Sequence, residues 1–206
     1  MDAARASMVD VTFALTGDAL PRDHGQLLAQ ALARRLPWLD DDAAVGVHRV
    51  KLVPGVCDPA LLSQRSRLVL RVQRGRASEV TTLAGTMLDV GRHRVHLRAA
   101  SVRELLSHGT LYAPMVIASI DTEGDELQFL ASVESELAAL GVRARTICGR
   151  RGALRHRDAQ LDGFSLMLDG LSASDSLRVQ QQGIGVHRRL GCGLFVPHRS
   201  AAAVQA

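Results

Sequence analysis

The chain begins with hydrophobic and polar residues in strict alternation, a pattern that predicts a β-strand. Val9, Val11, Phe13 and Leu15 occupy every second position, so their side chains share one face of an extended segment. From Leu27 onwards the hydrophobic positions recur at intervals of three and four, which is typical of an amphipathic helix. The opening segment therefore predicts a half-buried strand followed by a helix.

Residues that begin and end helices and strands divide the rest of the first half. Asp23 is expected to cap the first helix at its N-terminus, and Pro37 is expected to end it. The pattern then predicts strands over residues 45–52 and 67–72, a helix over 77–84 and a hairpin over 87–97. The resulting order, β-α-β-β-α-β, is that of the ferredoxin-like unit.

The second half of the chain repeats this order. Gly141 is expected to end one helix, and Ser172 or Ser174 to cap the next. The predicted elements are a strand over 112–120 with an acidic turn at 121–124, a helix over 127–140, strands over 142–148 and 163–171, a helix over 172–182 and a strand over 194–196. We therefore predict an α+β fold of two tandem ferredoxin-like (βαββαβ, RRM-like) domains, residues 8–104 and 110–200, with a C-terminal glycine-rich loop.

Composition supports a folded core and argues against a membrane or a metal. The 206 residues are 47% hydrophobic with a mean hydropathy of +0.06, and no apolar run approaches the roughly 20 residues that span a bilayer. Cys57, Cys148 and Cys192 are far apart and odd in number, which argues against a disulfide framework or a zinc cluster. We expect a cytoplasmic protein without a membrane partner, metal ion or cofactor.

The basic residues are almost all arginines. Lys51 is the only lysine among 25 basic residues, the net charge is +4, and aromatic residues make up 3% of the chain. Arginine binds phosphate through its planar fork of donors, whereas base stacking requires aromatic rings. The composition favours binding of a nucleic-acid backbone. A GC-rich genome would give the same excess of arginine, so composition leaves both explanations open.

A glycine-rich loop lies between the last predicted helix and the last predicted strand. This helix–loop–strand order is the reverse of a dinucleotide-binding loop, in which the glycines precede a helix. We interpret the loop as a cradle for a phosphodiester backbone, with both arginines directed outward. The alternative is a tight connection without a ligand. The candidate RNA-binding residues here are Gly183, Gly185, His187, Arg188, Arg189, Gly191 and Gly193.

A second basic cluster spans a predicted hairpin whose tip is expected near residues 149–152. Its density of arginines, with only Asp158 and Asp162 as acidic neighbours, favours contact with the phosphates and 2′-hydroxyls of an RNA stem. The alternative is a hairpin whose charges face solvent. The candidate RNA-binding residues of this cluster are Arg143, Arg145, Arg150, Arg151, Arg155, His156 and Arg157.

The sequences of several segments resemble those of one known family. Residues 188–197, which read RRLGCGLFVP, are similar to the glycine-rich loop of the CRISPR-associated repeat-RNA endoribonucleases, the sixth Cas family of the RAMP superfamily. Residues 20–25 (LPRDHG), 46–48 (GVH) and 155–170 resemble the Myxococcus-type branch of that family. The resemblance extends over most of residues 8–200, and the C-terminal loop is its most specific part.

The resemblance implies an activity. Such enzymes cleave precursor CRISPR RNA 3′ of the repeat hairpin without a metal ion, by attack of a 2′-hydroxyl that leaves a 2′,3′-cyclic phosphate and a 5′-hydroxyl. It also implies that the protein stays on the mature hairpin and joins other subunits of a Cascade-like effector complex. Histidine suits both proton transfers at neutral pH. The candidates are His24, near the first helix, and His48, in the second strand, with His24 preferred.

Two observations keep an alternative open. Relatives often carry an aromatic residue where Gln26 stands, and a basic residue in the neighbourhood of Ser119. Both histidines also have possible structural roles, His24 at a helix N-terminus and His48 in a strand. The alternative function is therefore a non-catalytic RNA-binding subunit of a CRISPR effector complex with the same fold.

Overall fold

The computed structural model describes residues 6–119 and 125–199, and the chain in it forms two compact units. Unit 1 comprises Met1–Glu104 together with Arg189–Gly191, and unit 2 comprises Leu105–Arg188 and Cys192–Ala206. Three residues of the glycine-rich loop thus belong to unit 1. The predicted acidic turn at 121–124 and residue 200, the end of the predicted second domain, lie outside the described residues.

Unit 1 is an antiparallel sheet with two helices. The sheet has the strand order β3-β5-β1-β7-β6, and β2 and β4 form a separate short pair. The strands are β1 Met8–Gly17, β2 Ala19–Leu20, β3 Gly46–Val47, β4 Ala60–Leu61, β5 Arg67–Gln73, β6 Met87–Val90 and β7 His93–Glu104. The helices are α1 Gly25–Ala33 and α2 Ala77–Thr81, with short 3-10 helices at Pro37–Leu39 and Arg74–Arg76.

The core of unit 1 follows from the predicted periodicities. Val11 and Phe13 of β1 are fully buried, as alternation requires, and Leu28 and Leu32 of α1 pack into the same cluster. On the opposite face of the sheet, Asp10 of β1 forms a bidentate ion pair with Arg71 of β5, at 2.8 and 2.9 Å. The predicted strand–helix opening and the 87–97 hairpin are confirmed.

Unit 2 combines a four-stranded antiparallel sheet, order β11-β8-β10-β9, with two helices. The strands are β8 Thr110–Val116, β9 Arg145–His156, β10 Ala159–Asp169 and β11 Val196–Pro197. The helices are α3 Glu126–Ala139 and α4 Ala173–Gln182, and a 3-10 turn lies at Arg188–Leu190. Phe129 of α3 stacks on Phe164 of β10 in the core, with ring centroids 4.8 Å apart.

Both predicted helix caps of unit 2 are present. The Ser172 side chain accepts a hydrogen bond from the backbone N–H of Asp175, which satisfies one of the free donors at the start of α4. Gly141 follows α3 with φ 64°, a left-handed conformation that lets the next amide bond back to Leu137. The α+β class and the tandem ferredoxin-like reading of the chain are confirmed.

Three local predictions are wrong. The strand expected over 45–52 is reduced to Gly46–Val47, and the N-cap of α1 is His24, one residue beyond Asp23. The tip of the basic hairpin lies at residues 157–158, not at 149–152. Gly149 and Gly152 look like turn residues in the sequence, but they lie inside β9. A Cβ on Gly149 would collide with the Ser165 hydroxyl, whereas a Cβ on Gly152 would make ordinary contact with Met115.

Candidate nucleic-acid interface

His24 is buried at the start of α1, with 1% of its surface exposed. The backbone N–H of Val50 donates to Nε2 over 3.0 Å, and Nδ1 lies 2.9 Å from the carbonyl oxygen of Pro21. Since a backbone N–H can only donate, Nε2 carries no hydrogen, and Nδ1–H donates to Pro21. Burial, assisted by the charge of Arg49, lowers the His24 pKa below its usual value. His24 is therefore neutral at pH 7.

His48 lies on the segment that His24 holds in place. His48 follows β3 and precedes Val50 by two residues, and its backbone N–H donates to the carbonyl of Val69 over 2.9 Å. Its ring is half-buried, with the Nε2 atom inside the protein. Arg49, between His48 and Val50, donates to the carbonyl of Arg22 over 3.2 Å. Unit 1 thus brings both predicted catalytic histidines into one region.

Arg189–Gly191 packs onto this region of unit 1. The Arg189 guanidinium donates to a carboxylate oxygen of Asp40 at 2.6 Å and to the carbonyl of Leu39 at 2.9 Å. A Cβ on Gly25, the first residue of α1, would lie 2.7 Å from the Leu190 carbonyl oxygen. A Cβ on Gly191 would collide with the Arg49 side chain. These two glycines permit a backbone approach that no other residue allows.

The remaining glycines of the loop pack against unit 2. Gly185 has φ 75°, and a Cβ there would collide with the Ile117 carbonyl. The backbone amides are used within the protein. The bonds are Gly183 to Val179, Gly185 to Glu136, Val186 to Ile117, Cys192 to His187 and Gly193 to Met115. These five amides have protein acceptors, so they are not free to bind an anion.

The two loop arginines have different environments. Arg188 is buried, with 8% exposure, and its Nη2 donates to the carbonyl of Gln181 at the end of α4, where the helix dipole favours a cation. The expectation that both arginines point outward is wrong for Arg188, because this carbonyl draws its guanidinium inward. Arg189 has 38% of its side chain exposed beside Asp40. Only Arg189 offers substantial charged surface.

The arginines of the hairpin are exposed, but they differ in pairing. Arg145 pairs with Asp169 and Arg151 with Asp162, each at 2.7 Å. The hydrogen bond from the Thr110 hydroxyl, and secondarily the contact with Arg145, lowers the pKa of Asp169, and Arg151 lowers the pKa of Asp162. Within residues 125–199, Arg143 and Arg150 have no ion pair of this kind. Arg155 and Arg157 are also exposed, and Arg157 stands at the tip with φ 55°. Arg143 and Arg150 thus present positive charge that no carboxylate of the described residues neutralises.

His156 and His187 bring the hairpin and the loop together within unit 2. Their ring centroids are 4.9 Å apart with an interplanar angle of 47°. Burial, and secondarily the charge of His156, lowers the pKa of His187. His156 Nδ1 is buried without a hydrogen-bond partner among the described residues. The two elements predicted separately to bind RNA are therefore neighbours at this ring pair.

Glu136 of α3 is a residue that the sequence analysis missed. Its carboxylate accepts the Gly185 N–H at 2.7 Å and the Ser119 hydroxyl at 2.9 Å, so it ties the glycine-rich loop to the segment after β8. No sequence signal distinguishes this glutamate from other polar residues of an amphipathic helix. Only the fold places it against the loop.

No described group of three or more His, Cys, Asp or Glu side chains is arranged to hold a metal ion. Cys192 is fully buried, as expected for a small hydrophobic thiol, and Cys57 is exposed. Burial, with a contribution from Glu126, raises the pKa of the Cys148 thiol to about 11, so this thiol is protonated at pH 7. No helix among the described residues has the length and hydropathy to cross a membrane.

Comparison with known proteins assigns the chain to a family. The family model described as Cas6, "Cas6 Crispr", matches residues 9–200. A protein of Myxococcus xanthus (strain DK1622), the CRISPR-associated endonuclease Cas6, is 37% identical over 197 residues, which cover 96% of this chain and 84% of the relative. The chain therefore belongs to the Cas6 family of CRISPR-associated proteins, as the loop motif indicated, and its relative is an endonuclease.

Solved structures share the fold. A CRISPR-associated Cas6 protein matches 93% of the chain with a TM-score of 0.69 at 12% identity, over its full length. A Cas6-related protein of Pyrococcus furiosus matches 94% of the chain and 99% of its own, with a TM-score of 0.61 at 14% identity. Thermus thermophilus Cse3, solved with an RNA in a pre-cleavage complex, matches 92% and 98%, with a TM-score of 0.54 at 13% identity.

Proposed function

We propose that this protein is an endoribonuclease that cleaves precursor CRISPR RNA 3′ of the repeat hairpin and stays bound to the product. Family membership and the endonuclease relative support the class of activity. The observation that carries the proposal is the packing of Arg189–Gly191 on the segments that hold His24 and His48. This packing gathers imidazoles and guanidinium groups, the two kinds of side chain that the reaction requires.

The proposed reaction is an internal transesterification that needs no metal ion. The 2′-oxygen attacks the adjacent phosphorus, the P–O5′ bond breaks, and the products end in a 2′,3′-cyclic phosphate and a 5′-hydroxyl. A base must take the 2′ proton, an acid must protonate the departing 5′-oxygen, and cations must stabilise the charged transition state. Side chains of this chain supply all three in the proposal, without a cofactor.

We assign the two predicted catalytic histidines different contributions. His24 is neutral, and its acceptor nitrogen is occupied by Val50 N–H, so it acts mainly by fixing the segment that carries His48. His48 then performs a proton transfer. This order reverses the preference for His24 that the sequence suggested, because two backbone hydrogen bonds and burial leave the His24 ring no free acceptor.

The exposed arginines of the hairpin are the proposed contacts to the RNA stem. Arg143 and Arg150 lack competing carboxylates among the described residues, and Arg157 extends from the tip. Guanidinium groups along a hairpin suit phosphates and 2′-hydroxyls, which carry little sequence information. Tight retention of the hairpin would suit a subunit of a Cascade-like effector complex. We propose a cytoplasmic location, because the free cysteines of the chain suit a reducing compartment.

The second candidate function is a non-catalytic RNA-binding subunit with the same fold. The observation that favours it is the full burial of His24, whose ring nitrogens both bond to backbone atoms. The endonuclease relative at 37% identity favours the enzyme instead.

One experiment separates the candidates. End-labelled CRISPR repeat RNA is incubated with the protein in EDTA and run on denaturing and native gels. We expect a product ending in a 2′,3′-cyclic phosphate and a retained hairpin. Retention without cleavage would establish the binding subunit, and neither outcome would refute both candidates. Cleavage by His48→Ala at the wild-type rate would remove the role assigned to His48.

A further inference from the structure

A group of exposed arginines lies on unit 1, apart from the histidines proposed for catalysis. Two of them follow α1, and three belong to the hairpin formed by β6 and β7. We call this group the β6 edge cluster. Its members, all exposed, are Arg34, Arg35, Arg92, Arg94 and Arg98.

The edge of β6 fixes two of these guanidinium groups. β6 is the outermost strand of its sheet, in the order β3-β5-β1-β7-β6. Arg34 Nη2 donates to the Asp89 carbonyl over 2.9 Å, and Arg35 Nη2 donates to the Met87 carbonyl over 3.3 Å. Positions two apart on a strand are roughly 6.6 Å apart. The two groups are therefore held side by side, and each keeps further N–H donors for a ligand.

The β6–β7 hairpin carries the other three arginines. Val95 and Leu97 of β7 are buried in the core of unit 1, so the alternation of a strand directs Arg94 and Arg98 to the opposite face. Arg92 lies in the turn between the two strands, and its side chain has no hydrogen bond or ion pair within the described part of the chain. The cluster thus extends from the sheet edge over the outer face of the hairpin.

One carboxylate, that of Asp89, is paired within the cluster. Arg94 bonds to it at 2.8 Å and is the main cause of its lowered pKa, and the charges of Arg34 and Arg35 lower this pKa further. Three arginines thus act on one carboxylate, which shows that the end of α1 and the hairpin are close together. The other four arginines form no ion pair among the described residues. The cluster therefore has a strong excess of positive charge.

Protection of the sheet edge accounts for only part of this charge. Charged side chains along an edge strand prevent it from pairing with another chain, which is a sufficient role for Arg34 and Arg35. Arg92 and Arg98 lie away from that edge, in the turn and on the outer face. The planar fork of a guanidinium group suits phosphate oxygens. The proposed substrate is a transcript that continues beyond its hairpin, so an RNA backbone is the polyanion available to the cluster.

We propose that the β6 edge cluster is a second RNA-binding surface, which holds the phosphate backbone of the single-stranded RNA that flanks the repeat hairpin. The inference rests on the proposed function and uses residues of unit 1 alone. Contacts to phosphates carry no sequence information, and the cluster has no aromatic ring on which a base could stack. The surface therefore holds flanking RNA of any sequence and adds affinity for a transcript whose hairpin is already bound.

The test fills the hairpin site before the second surface is measured. The full chain is saturated with repeat hairpin RNA that carries a 2′-deoxynucleotide at the scissile position, so the RNA binds but cannot react. Fluorescently labelled polyuridine is then titrated into this complex, and its anisotropy gives the affinity at several salt concentrations. Because polyuridine is added as a separate molecule, its binding does not depend on the path of the RNA between the two sites.

Two variants remove charge from different parts of the cluster. Arg34→Gln with Arg35→Gln removes the pair at the sheet edge, and Arg92→Gln removes the arginine of the turn, whose side chain supports no other described residue. Arg65→Gln is the matched control, because Arg65 is an exposed arginine of unit 1 that precedes β5 and lies outside the cluster.

We expect the wild-type complex to bind polyuridine with an affinity that falls steeply with salt. Each lost phosphate contact should reduce the slope of log affinity against log salt by about 0.7, so Arg92→Gln loses about 0.7 and the double variant about 1.4. The double variant should also bind polyuridine roughly tenfold more weakly. Arg65→Gln should match wild type, and all the variants should bind the repeat hairpin as wild type does.

The outcomes separate this inference from the function on which it rests. A wild-type chain that neither binds nor cleaves the repeat hairpin would refute the proposed function. A hairpin complex that does not bind polyuridine, or that binds it equally well in both cluster variants, would overturn the inference alone. Equal losses in Arg65→Gln and Arg92→Gln would also overturn it. Competition by polyglutamate as strong as that by unlabelled polyuridine would assign the cluster to an acidic protein surface instead.

Discussion

At the scale of single residues, His24 joins two segments of unit 1 that are distant in sequence. Its ring bridges the Pro21 carbonyl and the Val50 amide, and almost none of it reaches solvent. The side chain stabilises the fold only while its Nε2 is unprotonated, because a protonated Nε2 could not accept the Val50 N–H. The histidine therefore couples stability to pH.

We expect His24→Ala to destabilise the protein by about 2–4 kcal/mol. The substitution leaves the Val50 amide and the Pro21 carbonyl without their partner and opens a cavity in the core. Urea unfolding followed by circular dichroism measures the change, with His93→Ala as the control. A midpoint unchanged from wild type would contradict the structural role assigned to His24.

The pH dependence of stability should carry the signature of His24. Its pKa in the folded state is lower than the usual value near 6.5, so the unfolded chain binds more protons in the interval between the two pKa values. Stability contributed by the neutral ring is complete above about pH 6.5 and is lost as the pH falls towards the folded-state pKa. Urea titrations from pH 7.5 to 5 should show this loss in wild type and a smaller one in His24→Gln.

At the scale of elements, the basic hairpin of β9 and β10 has charges of two kinds. Arg145 and Arg151 have carboxylate partners that compete with phosphate, whereas Arg143 and Arg150 have none among the described residues. A phosphate contact releases condensed counterions, so it contributes to the salt dependence of binding. The pairing pattern therefore ranks the arginines by their expected contribution to RNA affinity.

We expect Arg150→Ala to reduce the slope of log affinity against log salt by about 0.7–0.9. Arg151→Ala should reduce it by clearly less, because the lost arginine was already neutralised by Asp162. Filter binding of the repeat RNA between 50 and 300 mM salt, roughly the range in which phosphate contacts weaken, measures both slopes. Equal slopes for the two variants would show that the ion pair opens on binding.

Helix α3 and the glycine-rich loop are joined by Glu136. Glu136→Ala should cost about 1–3 kcal/mol, because the partly buried amide of Gly185 loses its acceptor. Ser119→Ala removes only the second, exposed bond and should cost under about 1 kcal/mol. Thermal unfolding compares the two variants. If Glu136→Ala is as stable as Ser119→Ala, the loop does not depend on this carboxylate.

At the scale of the whole molecule, unit 1 is completed by residues from the C-terminal part of the chain. Residues 189–191 belong to unit 1 although the 84 residues Leu105–Arg188 of unit 2 separate them from Glu104. Gly25 admits the Leu190 carbonyl at the N-terminus of α1, and Gly191 admits the Arg49 side chain. A fragment ending at residue 104 would lack these contacts. The catalytic region proposed for unit 1 therefore requires the C-terminal part of the sequence.

Gly25→Ala tests this return of the chain. Its Cβ would lie 2.7 Å from a backbone oxygen, so we expect a loss of about 1–3 kcal/mol and slower RNA cleavage. Gly75→Ala is the matched control, since nothing lies within 4 Å of its Cβ and its φ is unexceptional. Urea midpoints and cleavage rates are compared for both variants. Equal effects of the two substitutions would contradict tight packing of Leu190 on α1.

The sequence alone was sufficient for the architecture, because periodicity and caps are local properties. The alternation from Val9 to Leu15, the stop at Gly141 and the Ser172 cap each depend on neighbours a few residues away. The family could also be recognised from the sequence, since the RRLGCG motif of the loop is contiguous. Charge density in the hairpin could be located for the same reason.

Burial and long-range hydrogen bonds were decided only by the tertiary structure. The residues next to His24 in the sequence do not predict that the Val50 amide donates to its Nε2 atom. The residues next to Arg188 do not predict that its guanidinium turns inward to the Gln181 carbonyl. The stacking of His156 on His187 and the hydrogen bond from the Gly185 amide to Glu136 join residues at least 31 positions apart in the sequence. Such contacts depend on how strands and helices pack, and no local pattern encodes them.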